Sequence, residues 1–429
     1  MAEQAGPLVV TAILTAASAV AWRLATTPVR FVLALGVIYG SVWAAALIWS
    51  RAPSRIKFFS VVAVHLALFL VVAGMEAPTL FRLVDYRDVF HTPSFFFPTR
   101  DPHYKRDPEV GYLAPPNLHQ QGQTPGNVAV LYHVPDANTY SYDVQYDARG
   151  FRNPATLDRA DVVIVGDSFV HGVFVPQAEL VASRLGQLLG TPVYNLAQVG
   201  YGPQQEAAVV RRFALPLQPR VIVWVFYEGN DLRDISAFHE FQKDYAATVE
   251  KRHNVVARSF TRNLLAALGT LAGKAHESAV PRSALWHHGT SSERIYFLER
   301  AHEIDATDKM ELAQFHDLLD GAATAAARQG AQLILAYAPT KFRVLHDMID
   351  VPANSELTRW RLSDLPERLA DLAHRLSTPV PFVDLTPGLV EMARRGTLPF
   401  FADDTHWSPA GHDAVARELA AFISREHLR

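Results

Sequence analysis

Two kinds of apolar spacing divide the chain. Near the front, apolar residues run on with no polar face, over Pro7 to Trp22, Phe31 to Trp49 and Phe58 to Gly74. The second and third runs approach the length that crosses a bilayer, and the first is shorter and mixed with Thr, Ser and Ala, so the pattern predicts two or three transmembrane spans within residues 1–75. From Asp161 onward the apolar runs become short and mostly β-branched, with helical segments between most of them. Asp161–Val165, Val193–Leu196, Val221–Phe226, Gln332–Tyr337 and Pro381–Asp384 read as buried parallel strands. Five such strands imply an α/β fold with a doubly wound parallel sheet, spanning residues 161–429.

Two stretches depart from these patterns. Residues 76–160 are rich in Pro, Gly, Asn and aromatics, which disfavours long helices and predicts a small β-rich apron. Within it Val128–Tyr132 and Tyr140–Tyr146 are expected as strands, closed by a turn at Asp147–Gly150. Residues 232–304 interrupt the strand-helix alternation as an insertion. Its apolar patch, Leu264–Leu271, is too short to span and is expected to be a helix packing on its own domain.

Charge and composition narrow the function classes. Charged residues are only 19%, in keeping with apolar segments at the front, and a net charge of -3 offers no basic field for nucleic acid. The loop holding Arg51, Arg55 and Lys57 outweighs the one holding Arg23 and Arg30, so it is placed in the cytoplasm and the rest of the chain outside. With no cysteine there is no disulfide framework, thiol nucleophile or thiolate metal site. His287 and His288 have no carboxylate at ligand spacing, so neither metal nor cofactor is expected. His171 is expected to face solvent at a helix start, and His412 to pack or cap at the start of the last helix.

The candidate chemistry lies where strands end. Gly166-Asp167-Ser168 stops the first strand, and the carboxyl ends of strands are where open α/β sheets bind ligands. The second strand ends in Asn195 to Gly202, with glycines that let a backbone N–H approach a ligand, and the third in Tyr227-Glu228-Gly229-Asn230-Asp231. Asp403-Asp404-Thr405-His406 comes just before a final helix. A serine hydroxyl needs a base to take its proton, a carboxylate to orient that base, and donors aimed at the developing oxyanion. These segments contain all of those groups.

The segments around Ser168, Asn195 to Gly200, Gly229-Asn230-Asp231 and Asp403 to His406 resemble, in order, the four blocks of the SGNH hydrolases, or GDSL-like esterases. The resemblance implies a flavodoxin-like three-layer α/β/α domain. It makes Ser168 the nucleophile and first oxyanion donor, Gly200 and Asn230 the other donors, and His406 the base. Asp403 fits the family's Asp-x-x-His spacing and is favoured as the partner of His406. Asp404 is the alternative, because Asp404-Thr405-His406-Trp407 resembles a segment of the alginate O-acetyltransferase branch, as does Pro339-Thr340-Lys341. Glu228 stands where the third block usually has Gly.

The expected protein is a membrane-tethered serine esterase with its catalytic domain outside the cytoplasmic membrane. It would cleave or transfer acyl groups, acetyl above all, on an acylated small molecule or an envelope glycan, with an acyl-donor or polysaccharide-export membrane protein as partner. A membrane-surface lipase or thioesterase, and a noncatalytic subunit of a polysaccharide machine, are the alternatives.

Overall fold

The structure, a computed structural model, describes residues 104–243, 255–265 and 282–426, except 133 and 135, together with parts of 66–86. The chain divides into two compact units, Met1–Pro93 with Tyr245–Glu277, and Ser94–Asp244 with Ser278–Arg429. Among the described residues no helix is long and apolar enough to cross a membrane. The apolar runs Pro7–Trp22 and Phe31–Trp49, and most of Phe58–Gly74, lie outside those residues, as do residues 266–271 of the insertion. In the first unit a helix over 72–80 carries Glu76. Its carboxylate accepts the N–H groups of Phe260 at 3.1 Å and Thr261 at 2.7 Å, and Phe260 meets Tyr86 edge to face. The central part of the insertion therefore packs against the segment that follows the third apolar run.

The second unit opens with two antiparallel pairs. β1 (Lys105–Asp107) pairs with β2 (Gly111–Leu113), and β3 (His119–Pro125) with β4 (Thr139–Gln145), joined through the helix α1 (Asn127–Tyr132). The run Val128–Tyr132, expected as a strand, is thus helical, and His119–Pro125 is the strand that partners β4. So short a run has no decisive period. Val128 and Ala129 are buried side by side while Val130 and Leu131 are exposed, a one-sided pattern that strand alternation does not give.

The strand-helix alternation then begins with β5 (Val162–Val165), α2 (Ser168–His171), α3 (Val181–Leu189), β6 (Val193–Asn195), α4 (Pro203–Val209), β7 (Val221–Tyr227) and α5 (Asp231–Lys243). A hairpin of β8 (Ser283–His288) and β9 (Ser291–Tyr296) follows, then α6 (Ala306–Arg328), β10 (Gln332–Ala338), α7 (Lys341–Leu345) and β11 (Ile349–Asp350), which pairs with β8. The chain closes with α8 (Leu365–Arg375), β12 (Phe382–Asp384), α9 (Thr386–Arg394) and α10 (Pro409–Arg425).

Five strands form one parallel sheet in the order β12-β10-β7-β5-β6. All five expected strands are present. Their side chains alternate between two cores: Val163, Val165, Trp224 and Phe226 pack with Phe315, Leu319 and Leu369 on one face. Ile164, Val223 and Val225 pack with Leu185, Leu389, Val415 and Leu419 on the other. Helices cover both faces, which is why these strands are apolar on both sides. Counted along the chain the strand order is 2-1-3-4-5, so the direction of winding reverses between β5 and β7. That reversal opens a crevice at the carboxyl end of β5.

Candidate active site

Ser168 stands at that crevice. Asp167 caps α2 by accepting the Phe169 N–H at 2.9 Å, and Gly172, at φ 64°, ends the helix after a single turn. A Cβ at Gly166 would lie 2.8 Å from Val170 and would spread the turn between β5 and α2. Burial pushes the Asp167 carboxyl up to about 6, against the Phe169 N–H and the nearby His406, which pull it down.

His406 comes from the loop before α10. Its Nε2 lies 2.8 Å from Ser168 Oγ, and its Nδ1 lies 2.6 Å from Asp404 Oδ1. The same Asp404 oxygen accepts the His406 backbone N–H at 2.9 Å, and the other oxygen accepts the Asn127 N–H at 2.6 Å. Burial alone would push Asp404 up, but His406 and these two N–H groups hold it below the usual carboxylate range. Burial disfavours the imidazolium, yet the charge and hydrogen bond of Asp404 outweigh it and raise His406 above its ordinary value. A carboxylate on Nδ1 fixes the tautomer that leaves Nε2 free to accept from the serine hydroxyl.

Asp403, expected ahead of Asp404 as the partner of the imidazole, is not on it. Its carboxylate accepts the Tyr140 hydroxyl and the Asn138 N–H, the latter at 2.8 Å. Both donors come from the apron, and they turn Asp403 away from His406 while the chain aims Asp404 inward. The Asp-x-x-His spacing alone does not reveal that competition.

The expected oxyanion donors lie at the ends of the strands flanking β5. Gly200, beyond β6, has φ +74°, which a side chain would strain, and among the described residues no hydrogen bond engages its N–H. The Asn230 amide, beyond β7, donates an N–H to Asp234 at 2.6 Å and also acts on the Asp167 carboxylate, which fixes its direction beside the nucleophile. Ser168, as the first residue of α2, has an N–H ahead of the helical ladder.

Glu228, the departure from the third block, is a clamp. Its carboxylate accepts the Thr340 N–H and hydroxyl at 2.9 and 3.0 Å and Arg343 Nε at 2.8 Å, tying the end of β7 to the turn between β10 and α7. Gly229 is required for close approach, since a Cβ there would lie 2.4 Å from Glu299 Cγ and 2.5 Å from the Tyr227 ring.

Three buried side chains support the site in ways that the sequence does not reveal. Lys341, fully enclosed, donates through Nζ to the carbonyls of Tyr296, Phe401, Ala402 and Asp404, so it pins the loop that carries His406. Burial depresses its pKa to about 8 against the pull of Asp404, Glu299 and Asp403. Arg152, 0% exposed, caps the carbonyls of His171, Gly172 and Val175 behind the nucleophile helix. His171, expected at the surface, is buried, and its Nε2 lies 3.1 Å from the Tyr146 hydroxyl. The apron covers it, which local polarity around α2 does not show. His412 packs as expected, its Nδ1 accepting the Val181 N–H at 3.0 Å.

His287 pairs with Asp350 at 2.8 Å and His288 stacks on Trp286. Among the described residues His302, Asp305 and Asp308 bring ligand-type atoms within 4.8 Å of one another. That group is mostly exposed, and Asp305 is occupied in capping α6 through the N–H groups of Thr307 and Asp308.

Comparison with known proteins finds likeness over part of the chain, including the Asp403–His406 segment. Residues 296–429 match the family described as "SGNH hydrolase-like domain, acetyltransferase AlgX". The protein described as "Probable alginate O-acetylase AlgJ" from Pseudomonas putida is 30% identical over 111 residues, which is 26% of this chain and 27% of that protein. The match thus spans about a quarter of the relative's length. Among solved structures, TesA aligns at 13% identity with a TM-score of 0.33, covering 62% of this chain and 98% of that one. The structure of "a putative GDSL-like lipase" from Parabacteroides merdae aligns at 13% identity with a TM-score of 0.34, covering 64% and 100%. Residues 296–429 are thus similar to an SGNH hydrolase-like family, and the likeness lies on the side of the alginate O-acetyltransferases.

Proposed function

We propose that the protein is an SGNH-type serine esterase that cleaves or transfers ester-linked acyl groups, acetyl above all, on an envelope or exported glycan. The observation that carries this reading is the unbroken hydrogen-bonded line Ser168–His406–Asp404. His406 takes the Ser168 proton as Oγ attacks the acyl carbonyl, and the imidazolium so formed is stabilised by Asp404. The Ser168 and Gly200 N–H groups and the Asn230 amide receive the negative oxygen of the tetrahedral intermediate. Collapse expels the alcohol, which takes the proton from His406, and leaves an acyl group on Ser168. Water or a sugar hydroxyl then gives its proton to His406 and attacks that acyl group, and the second tetrahedral intermediate collapses with loss of Ser168 Oγ, which takes the proton back from His406.

The choice of acceptor follows from how well the site excludes water and holds a sugar. The glycan and the acetyl group are supported by the likeness to an acetyltransferase family and to an alginate O-acetylase homologue. Anchorage by the apolar runs at the front, with the active site on the outer side of the membrane, is supported by their length and by the placement of Lys and Arg.

Labelling of the detergent-solubilised full chain with a fluorophosphonate tests the reading. Modification mapped to the Ser168 peptide, and lost in Ser168→Ala, is the expected result. A folded protein that takes up no probe would overturn it.

A further inference from the structure

We infer that the apron, through Gly126 and Asn127, is part of the catalytic assembly: it reaches over the loop of Asp403–Thr405 and sets the direction of the Asp404 carboxylate. The inference rests on the reading of Ser168, His406 and Asp404 as a working triad. Asn127 grips the loop at two points. Its N–H donates to Asp404 Oδ2 at 2.6 Å, and its side-chain oxygen accepts the Thr405 N–H at 2.9 Å and the Thr405 hydroxyl at 3.2 Å. Two oxygens of one carboxylate are therefore satisfied from opposite sides, Oδ1 by the imidazole and Oδ2 by the apron. Such charge-assisted bonds are directional and strong in a buried site.

Gly126 makes that approach sterically feasible. A Cβ there would lie 2.4 Å from the Asp403 carbonyl oxygen and 2.8 Å from Asp404 Cβ, so any side chain would drive the apron and the loop apart. The contact continues on either side. The Ala129 N–H donates to the Asp403 carbonyl at 3.1 Å, and the Asn138 N–H and Tyr140 hydroxyl hold the Asp403 carboxylate. Every apron group in this set comes from the segment between β3 and β4 or from the start of β4, and every partner from the loop before α10. The α/β layers place Ser168, while the apron and Lys341 place its acid.

Asn127 is a positioning residue, so its substitution should alter the base as well as the fold. The charged groups that act on His406 besides Asp404 are Asp167 beside α2 and Glu299 after β9, and Lys341 of α7 lies under the same loop. None of them is hydrogen-bonded to Asn127. In Asn127→Ala the buried Thr405 N–H loses its partner and the loop shifts to find another. The carboxylate then supports the imidazolium less well.

The test is the pH dependence of kcat/KM for p-nitrophenyl acetate, with full-length wild type, Asn127→Ala, Gly126→Ala, Val144→Ala and Ser168→Ala measured together with their melting temperatures. Val144, buried in β4, is a control that loosens the apron without touching the loop. The expected result is a fall of about tenfold or more in kcat/KM for Asn127→Ala and Gly126→Ala. The acid limb in both should move to lower pH, and in Val144→Ala it should stay where it is. An unchanged limb in both apron variants, with wild-type activity dependent on Ser168, would overturn the inference and leave the triad standing. If wild-type activity persists in Ser168→Ala, the triad reading itself fails and the inference falls with it.

Discussion

His406 and Asp404, two residues apart in the chain, meet through Nδ1 and Oδ1 at 2.6 Å, while Asp403, the nearer match to the family spacing, points to Tyr140. The consequence is an order of effects. Asp404→Asn should lower turnover of an activated acetyl ester by about 10,000-fold, because an amide in that place favours the wrong tautomer of the imidazole. Asp403→Asn should be far milder, since it loosens the apron without changing the base. Steady-state kinetics on the two variants checks this, and equal losses would contradict it.

The same pair sets a pH dependence. As a base His406 must be neutral, and Asp404 raises its pKa above the ordinary 6.5, so activity should be lost as pH falls through a midpoint above that value. In Asp404→Asn the charge is gone and the residual activity should show its acid limb at lower pH. For stability the sign is opposite to that for activity. The contribution of a raised histidine is full below its unfolded pKa and is lost as pH rises through the folded one. A pH profile of kcat/KM, with parallel denaturation curves, measures both.

Glu206 predicts a second pH effect, away from the chemistry. It is 0% exposed, accepts the Trp224 indole N–H at 2.7 Å, and is pushed well above the usual carboxylate range by burial, with Asp167 and Asp234 adding to the rise. A raised acid binds its proton more tightly in the folded state, so stability should decline as pH rises above the unfolded pKa of about 4.3. Glu206→Gln removes the ionisation and can keep the indole bond. It should flatten that decline above the unfolded pKa, which urea titrations at several pH values would show.

Lys341→Met tests how far the loop depends on its buried cation. The methionine fills most of the volume but leaves the buried carbonyls of Tyr296, Phe401 and Asp404 short of the lysine's three N–H groups, while that of Ala402 keeps the Tyr296 N–H. A loss of about 2–4 kcal/mol is expected, together with a fall in kcat from a less rigid His406. Calorimetry and kinetics on the same preparation check the two effects.

The strands of the sheet were legible because each is a compact β-branched run with apolar residues on both faces, and Ser168 because it ends the first of them. Gly200 and Asn230 follow from the same logic at the neighbouring strands. The apron was less legible. Val128–Tyr132 is too short to display a period, and its helical form places Asn127 over a loop 277 residues further along. The choice between Asp403 and Asp404 depends on those apron donors, so no local spacing could settle it. Arg152, His171 and Lys341 are buried by segments distant in the chain, and a charged residue's sequence neighbours do not reveal that. Gly126-Asn127 resembles an ordinary turn, and only the near contact at Gly126 marks it as more.

The central claim is an activated serine that carries an acyl group. Rapid-quench mass spectrometry of the solubilised protein mixed with p-nitrophenyl acetate tests it most directly. The account predicts a burst of p-nitrophenol matched by a single acetyl group on the Ser168 peptide, absent in Ser168→Ala. Faster loss of acetyl-Ser168 on adding a glycan acceptor, with a new glycan ester formed, marks transfer, and an unchanged lifetime marks hydrolysis. Turnover with no acetyl group on Ser168, or acetylation that persists in Ser168→Ala, would contradict it.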